Sequence, residues 1–301
     1  MIIRTNDENP NIQLAAFVEI QKLLVSEELT ETDLLKLAES MKAHCRQRTA
    51  WKLGDYLLPI LAVLIRCQTS QVLIETLAAL TEITENRGDG VDCNNKNIIE
   101  HLVPLLGHTD ENIRKAALRA VGNLFTGGDE QTQAVLDCGV LPFLDHFLRH
   151  GDSKSQRDAI WCISNLAAGT PSQTQAIIDY GFVPFIISKL GFENKIQKEI
   201  SWVIYSLIGS DQQKVLQYLI DENIIPPLCK HLEFRNKQLL ATYLECLRDL
   251  IAKSQDPQNV CDRIMQCGGL EKVQLLKNNQ NENIQSLASE ICAYFIHKEQ
   301  K

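Results

Sequence analysis

Apolar residues along this chain recur at three- and four-residue spacing rather than in alternation. Within Lys154–Ala168 they are Ile160, Ile163, Leu166 and Ala167, and Ile196–Ile208 repeats the pattern. No segment shows the every-second-residue rhythm of a half-buried strand, so helices are expected throughout. The punctuation between them is equally legible. Gln131–Cys138 reads as a short helix stopped by Gly139, because a residue without a Cβ can take the left-handed cap conformation. Pro142 falls in the first turn of a second helix ending near Gly151, where its missing N–H costs little. Asp152 or Ser153 can cap a longer third helix. The next segment repeats the scheme with Gly181, Pro184 and Ile196–Ile208.

An apolar-Pro pair recurs as Leu58-Pro59, Val103-Pro104, Leu141-Pro142, Val183-Pro184 and Ile225-Pro226, its prolines 45, 38, 42 and 42 residues apart. Gly88, Gly127, Gly169 and Gly209 mark the loops after long helices at intervals of 39, 42 and 40. Two independent markers thus share a period in the roughly 40–47-residue range of HEAT and armadillo units, and three helices per unit favour the armadillo type. The expected fold is an all-α, right-handed superhelical solenoid of armadillo repeats at approximately 58–94, 95–128, 129–170, 171–210, 211–253 and 254–297. Residues 1–57 are expected to form a less regular N-terminal cap, and 298–301 a polar tail. In that cap Asn11–Val25 (Leu14, Phe17, Val18, Leu24) and Leu34–Trp51 (Leu34, Leu37, Met41) keep helical spacing, but Trp51 lies too close to Pro59 for a short helix to intervene.

The third helices carry a second pattern. Residues four apart share one helix face, so Trp161 and Asn165 form a rung of aromatic plus amide. Trp202 with Ser206 occupies the same places one unit later, Arg119 with Asn123 one unit earlier, and Ala78 with Glu82 before that, at intervals of 41, 42 and 41. Asp158 and Glu199 stand three residues before each tryptophan. Neighbouring helices pack roughly 8–10 Å apart, so the two indoles can wall a slot for the methylene stem of a Lys or Arg. The ring faces attract its charge, and the carboxylates of Asp158 and Glu199 can meet it. Asn165 and Ser206 can hydrogen-bond a peptide main chain. An extended basic peptide is the ligand these groups suit. Core burial is the competing assignment for each tryptophan, and for Trp51 it is the preferred one.

The segments Ala116-Ala-Leu-Arg-Ala-Val-Gly-Asn-Leu-Phe-Thr-Gly127, Ile160-Trp-Cys-Ile-Ser-Asn-Leu-Ala-Ala-Gly169 with Gln175-Ala-Ile-Ile-Asp179, and Lys198-Glu-Ile-Ser-Trp202 resemble importin-α, the adaptor that reads nuclear localisation signals. Cys267-Gly-Gly-Leu-Glu-Lys-Val and Asn283-Ile-Gln to Ala293-Tyr-Phe295 are similar to that family's closing repeat. The resemblance covers about residues 95–296. It implies a minor signal-binding site with Trp161, Asn165, Trp202, Glu199, Arg119 and Asn123 in place, Asp158 keeping its acidic character and Ser206 replacing an Asn. Partners bearing Lys/Arg-rich signals and a cytoplasmic and nuclear location follow. Met1–Pro10 carries no basic run of the kind the family docks on importin-β, so that partnership is not expected. A scaffold that binds peptides without transport, or a catenin-like scaffold preferring acidic ligands, remains open.

Charge agrees with a basic ligand. Thirty Lys and Arg face 38 Asp and Glu, giving a formal charge of -8, which disfavours a grip on nucleic-acid phosphates. No apolar run reaches the roughly 20 residues of a membrane span. The cysteines, among them Cys162, Cys246 and Cys292, fall within helical apolar pattern as small core residues of a reducing compartment, without a Cys-x-x-Cys pair. His146 and His150 share a helix face but lack a third ligand, and the Gly-rich Thr126–Gly128 and Gly88–Gly90 lack the Lys of a phosphate loop. Neither a cofactor nor an enzymatic reaction is expected.

Overall fold

The computed structural model describes residues 10–26, 29–46, 54–85, 96–190, 196–233 and 236–296. Trp51, Gly88 and residues 1–9 lie outside them. The described residues are helical, without a strand, and divide into two compact units, residues 1–150 and 151–301.

The first unit contains α1 (Pro10–Ser26), α2 (Glu31–Cys45), α3 (Gly54–Leu64), α4 (Ser70–Glu85), α5 (Lys96–Leu102), α6 (Glu111–Leu124), α7 (Asp129–Asp137) and α8 (Leu141–His150). The second contains α9 (Ser153–Ala167), α10 (Pro171–Tyr180), α11 (Phe182–Lys189), α12 (Gln197–Gly209), α13 (Gln213–Asp221), α14 (Ile225–Lys230), α15 (Lys237–Lys253), α16 (Pro257–Gln266), α17 (Gly269–Leu276) and α18 (Glu282–Ile296). In each unit the long helices stack in succession: α2 on α4 on α6, and α9 on α12 on α15 on α18. This nearest-neighbour stacking is the all-α solenoid design, in which no single repeat can bury its apolar face alone.

The turn chemistry follows the sequence closely. The Asp152 carboxylate accepts the Ser155 N–H at 2.8 Å and caps α9, and Gly139 and Gly181 adopt φ of 74° and 87°. Ile160, Ile163, Leu166 and Ala167 are buried on one face of α9, and Cys162, Cys246 and Cys292 are buried as well. Pro59 sits in the interior of α3, which begins at Gly54, and so leaves the carbonyl of Asp55 without a helical N–H partner. Val18 is exposed, while Ala16, Phe17, Ile20 and Leu24 of α1 are buried. No described helix is long and apolar enough to cross a membrane.

What fixes α12 for function is a buried polar knot shared with α15. Gln197 Nε2 donates to Tyr243 Oη at 2.5 Å, Ser201 Oγ lies 2.6 Å from the same hydroxyl, and His231 stacks on the Tyr243 ring at 4.9 Å. Hydrogen bonds among buried groups are directional and costly to break, so α12 is held in one rotation about its axis. That rotation presents Trp202 outward.

Candidate functional site

Between α9 and α12 lies an open cavity of about 410 Å³ lined by Trp161, Ser164, Asn165, Ala168, Lys198, Glu199, Trp202 and Ser206. Five of these are residues that the sequence places on the ladder. The apolar seam of α9, directed at the core by Ile160 and Ile163, leaves Trp161 at its edge, half-buried, with Asn165 one turn further along. Trp202 is 40% exposed and is braced edge-on by Tyr205, with ring centroids 5.7 Å apart.

The polar groups of the slot are incompletely satisfied. The Asn165 side-chain amide nitrogen is buried without a hydrogen-bond partner among the described residues. Such an orphaned donor costs about 1–3 kcal/mol, a penalty that an incoming carbonyl oxygen relieves. Glu199 has no ion pair among the described residues, and Ser206 lines the same wall. The arrangement supplies two aromatic faces, the Glu199 carboxylate, the Lys198 ammonium, one amide donor and two hydroxyls, of which that of Ser164 is donated to the Trp161 carbonyl.

The remaining predicted residues are placed differently. Asp158 is 7% exposed and does not line the cavity, because position 158 falls on the buried flank of α9 beside Ala159. In the first unit the Arg119 guanidinium is clamped on Glu85 at 3.1 and 2.9 Å. Asn123 is 3% exposed, its amide nitrogen donating to Thr81 O at 3.2 Å and Thr84 Oγ1 at 2.9 Å. Both side chains of that rung are therefore engaged with α4, and Asn123 is turned inward where Asn165 meets a cavity. Two further ion pairs, Lys42 with Glu75 at 2.7 Å and Arg46 with Glu82 at 2.8 Å, join α2 to α4.

Lys198 was missed by the sequence reading although it stands four residues before Trp202 and so shares its face. Its helical offset was the available signal. His146 and His150 bring their rings to 5.3 Å, but no group of three or more metal-ligating side chains occurs among the described residues.

The armadillo/beta-catenin-like repeat family matches residues 94–126 and 128–168. The chain is 36% identical over 92 residues to importin subunit alpha-3 of Arabidopsis thaliana, covering 30% of this chain and 17% of that protein. It is 30% identical over 126 residues to importin subunit alpha-1a of Oryza sativa subsp. japonica, covering 37% and 24%. The matches thus span less than a quarter of either plant protein. Among solved structures, an engineered protein superimposes with a TM-score of 0.77 at 23% identity, covering 91% of this chain and 67% of that one. A designed armadillo repeat protein in complex with the peptide (KR)4 gives a TM-score of 0.69 at 24% identity, covering 79% and 99%. At these identities the structural likenesses carry the fold.

Proposed function

For an armadillo-repeat chain that is similar to importin-α and divergent from it, we propose that the cavity between α9 and α12 binds an extended Lys/Arg-rich peptide of a partner protein. The observation that carries this reading is the coincidence, in one cavity, of two indole walls, a Glu199 carboxylate without an ion pair among the described residues, and the orphaned Asn165 donor. Trp161 and Trp202 sandwich the alkyl stem of the basic residue, the ring faces contributing about 0.5–2 kcal/mol of attraction for its charge. Glu199 neutralises the charged end. Asn165 and Ser206 hold the peptide main chain, which makes binding depend on an extended backbone more than on neighbouring side chains.

The protein so equipped acts as an importin-α-like adaptor for basic nuclear localisation signals, in the cytoplasm and nucleus, and its role is binding without catalysis. Titration calorimetry of a Lys/Arg-rich peptide against an acidic peptide of equal length tests the ligand class. Basic-peptide binding is expected, with Trp202→Ala weakening it at least tenfold at unchanged helicity; preference for the acidic peptide would sink the reading. A second reading, a scaffold that binds peptides without importin-β, draws support from the ion pairs that occupy the ladder of the first unit. Pull-down on importin-β separates the two, capture favouring the adaptor.

A further inference from the structure

Burial along the long helices sets their register. Val203, Leu207 and Ile208 of α12 have buried counterparts 43 residues on, in Cys246, Leu250 and Ile251 of α15. The same offset puts Glu245 where Trp202 stands and Asp249 where Ser206 stands. The ladder thus continues past the tryptophans, with its aromatic-plus-hydroxyl rung replaced by two carboxylates. Their situations differ. Asp249 is held by Arg248 at 2.8 Å and Lys253 at 3.2 Å, whereas Glu245 is half-buried with no hydrogen bond or ion pair among the described residues, although Arg248, three residues on, feels its charge.

Glu245 lines a second open cavity, of about 470 Å³, between α15 and the start of α18. Thr242, Gln238 and Asn283 share that wall, and the side-chain amides of Gln238 and Asn283 make no hydrogen bond among the described residues. Lys237 also lines the cavity, but eight residues of helix separate it from Glu245, about 12 Å along the axis. No ion pair joins the two among the described residues.

Resting on the basic-peptide reading of the first cavity, we propose that the same peptide continues across α15 and places a second Lys or Arg on Glu245, its main chain held by Gln238 and Asn283. From the α9/α12 slot to the α15/α18 cavity is two helix spacings, roughly 16–20 Å. An extended chain rises about 3.3 Å per residue, so the two basic positions stand about five or six residues apart. The preferred partner therefore carries two basic anchors at that interval, with the intervening residues free to vary.

Three peptides on a Gly/Ser background test this by calorimetry on the full chain: one Lys-Arg pair alone, the pair with a Lys six residues on, and the pair with a Lys three residues on. The six-residue spacing is expected to bind roughly three- to fivefold tighter than the pair alone, the range of a partly exposed ion pair, and the three-residue spacing to gain less. Glu245→Gln should erase that gain and leave the affinity for the single pair unchanged. If the single pair fails to bind, the reading of the first cavity falls and this inference with it. If the single pair binds but the second anchor adds nothing, or Glu245→Gln keeps the gain, the second subsite alone is overturned.

Discussion

Both units stack long helices side by side and both carry ion pairs, yet they treat the polar residues of the ladder differently. In the first unit Glu75, Glu82 and Glu85 each receive a cation from a neighbouring helix, namely Lys42, Arg46 and Arg119, and Asn123 gives its amide hydrogens to α4. In the second unit Glu199 and Asn165 face a cavity with no such partner among the described residues. A carboxylate with a partner from its own fold gains little from a ligand cation, since binding must first break an existing pair. One without a partner gains the whole interaction. Residues of the same type on equivalent helices thus differ in what their neighbours supply.

The largest effect that sharpens this contrast concerns the buried histidine of each unit. His44 in the first unit donates from Nδ1 to Ser40 O at 2.7 Å, whereas His231 in the second lies fully buried against Tyr243. Burial, with Lys230 as a lesser cause, pushes the His231 pKa down from the usual 6.5 to about 4. In the unfolded chain the same imidazole titrates near 6.5, so between those values the unfolded state binds more protons and folding stability falls as pH falls. The loss should grow to about 3 kcal/mol by pH 4. Urea unfolding at pH 7.5 and 4.5 should show it, and His231→Phe should remove most of the difference. An equal loss in that variant would assign the acid sensitivity elsewhere.

A smaller effect is expected at Asn165. Replacing it by Leu removes the orphaned donor, so stability should hold or rise by up to about 1 kcal/mol while basic-peptide affinity falls about fivefold. Melting and calorimetry on one sample decide it; a variant that melts early while binding normally would return Asn165 to a structural role. Smallest of all is Arg119→Ala. Its pair with Glu85 is nearly half-exposed on both sides, so the loss should stay below about 1 kcal/mol and peptide affinity should move less than twofold. Should Arg119→Ala weaken the peptide as strongly as Trp202→Ala, the contrast between the units breaks.

Much of this was legible in the sequence because its causes are local. The caps at Asp152 and Gly139, the apolar seam of Ile160, Ile163 and Leu166, and the shared face of Trp161 and Asn165 all depend on residues within a few positions of one another. The repeat period then carried the ladder from Trp161 to Trp202. The outward placement of Trp202 followed from the seam being already complete without it, while Trp161 stands half-buried at the seam's edge.

What only the tertiary structure decided was the partner of each polar group. Arg119 and Asn123 matched the ladder as well as Trp202 and Ser206 did, but Glu85, 34 residues from Arg119, and Thr84, 39 residues from Asn123, claim them. Asp158 and Glu199 share a ladder position, yet one is buried and the other lines the cavity. Helical periodicity determines which face a side chain leaves from. Whether that face meets a counter-ion, a closed core or open space depends on helices roughly 40 residues away in these repeats, and that is set by packing.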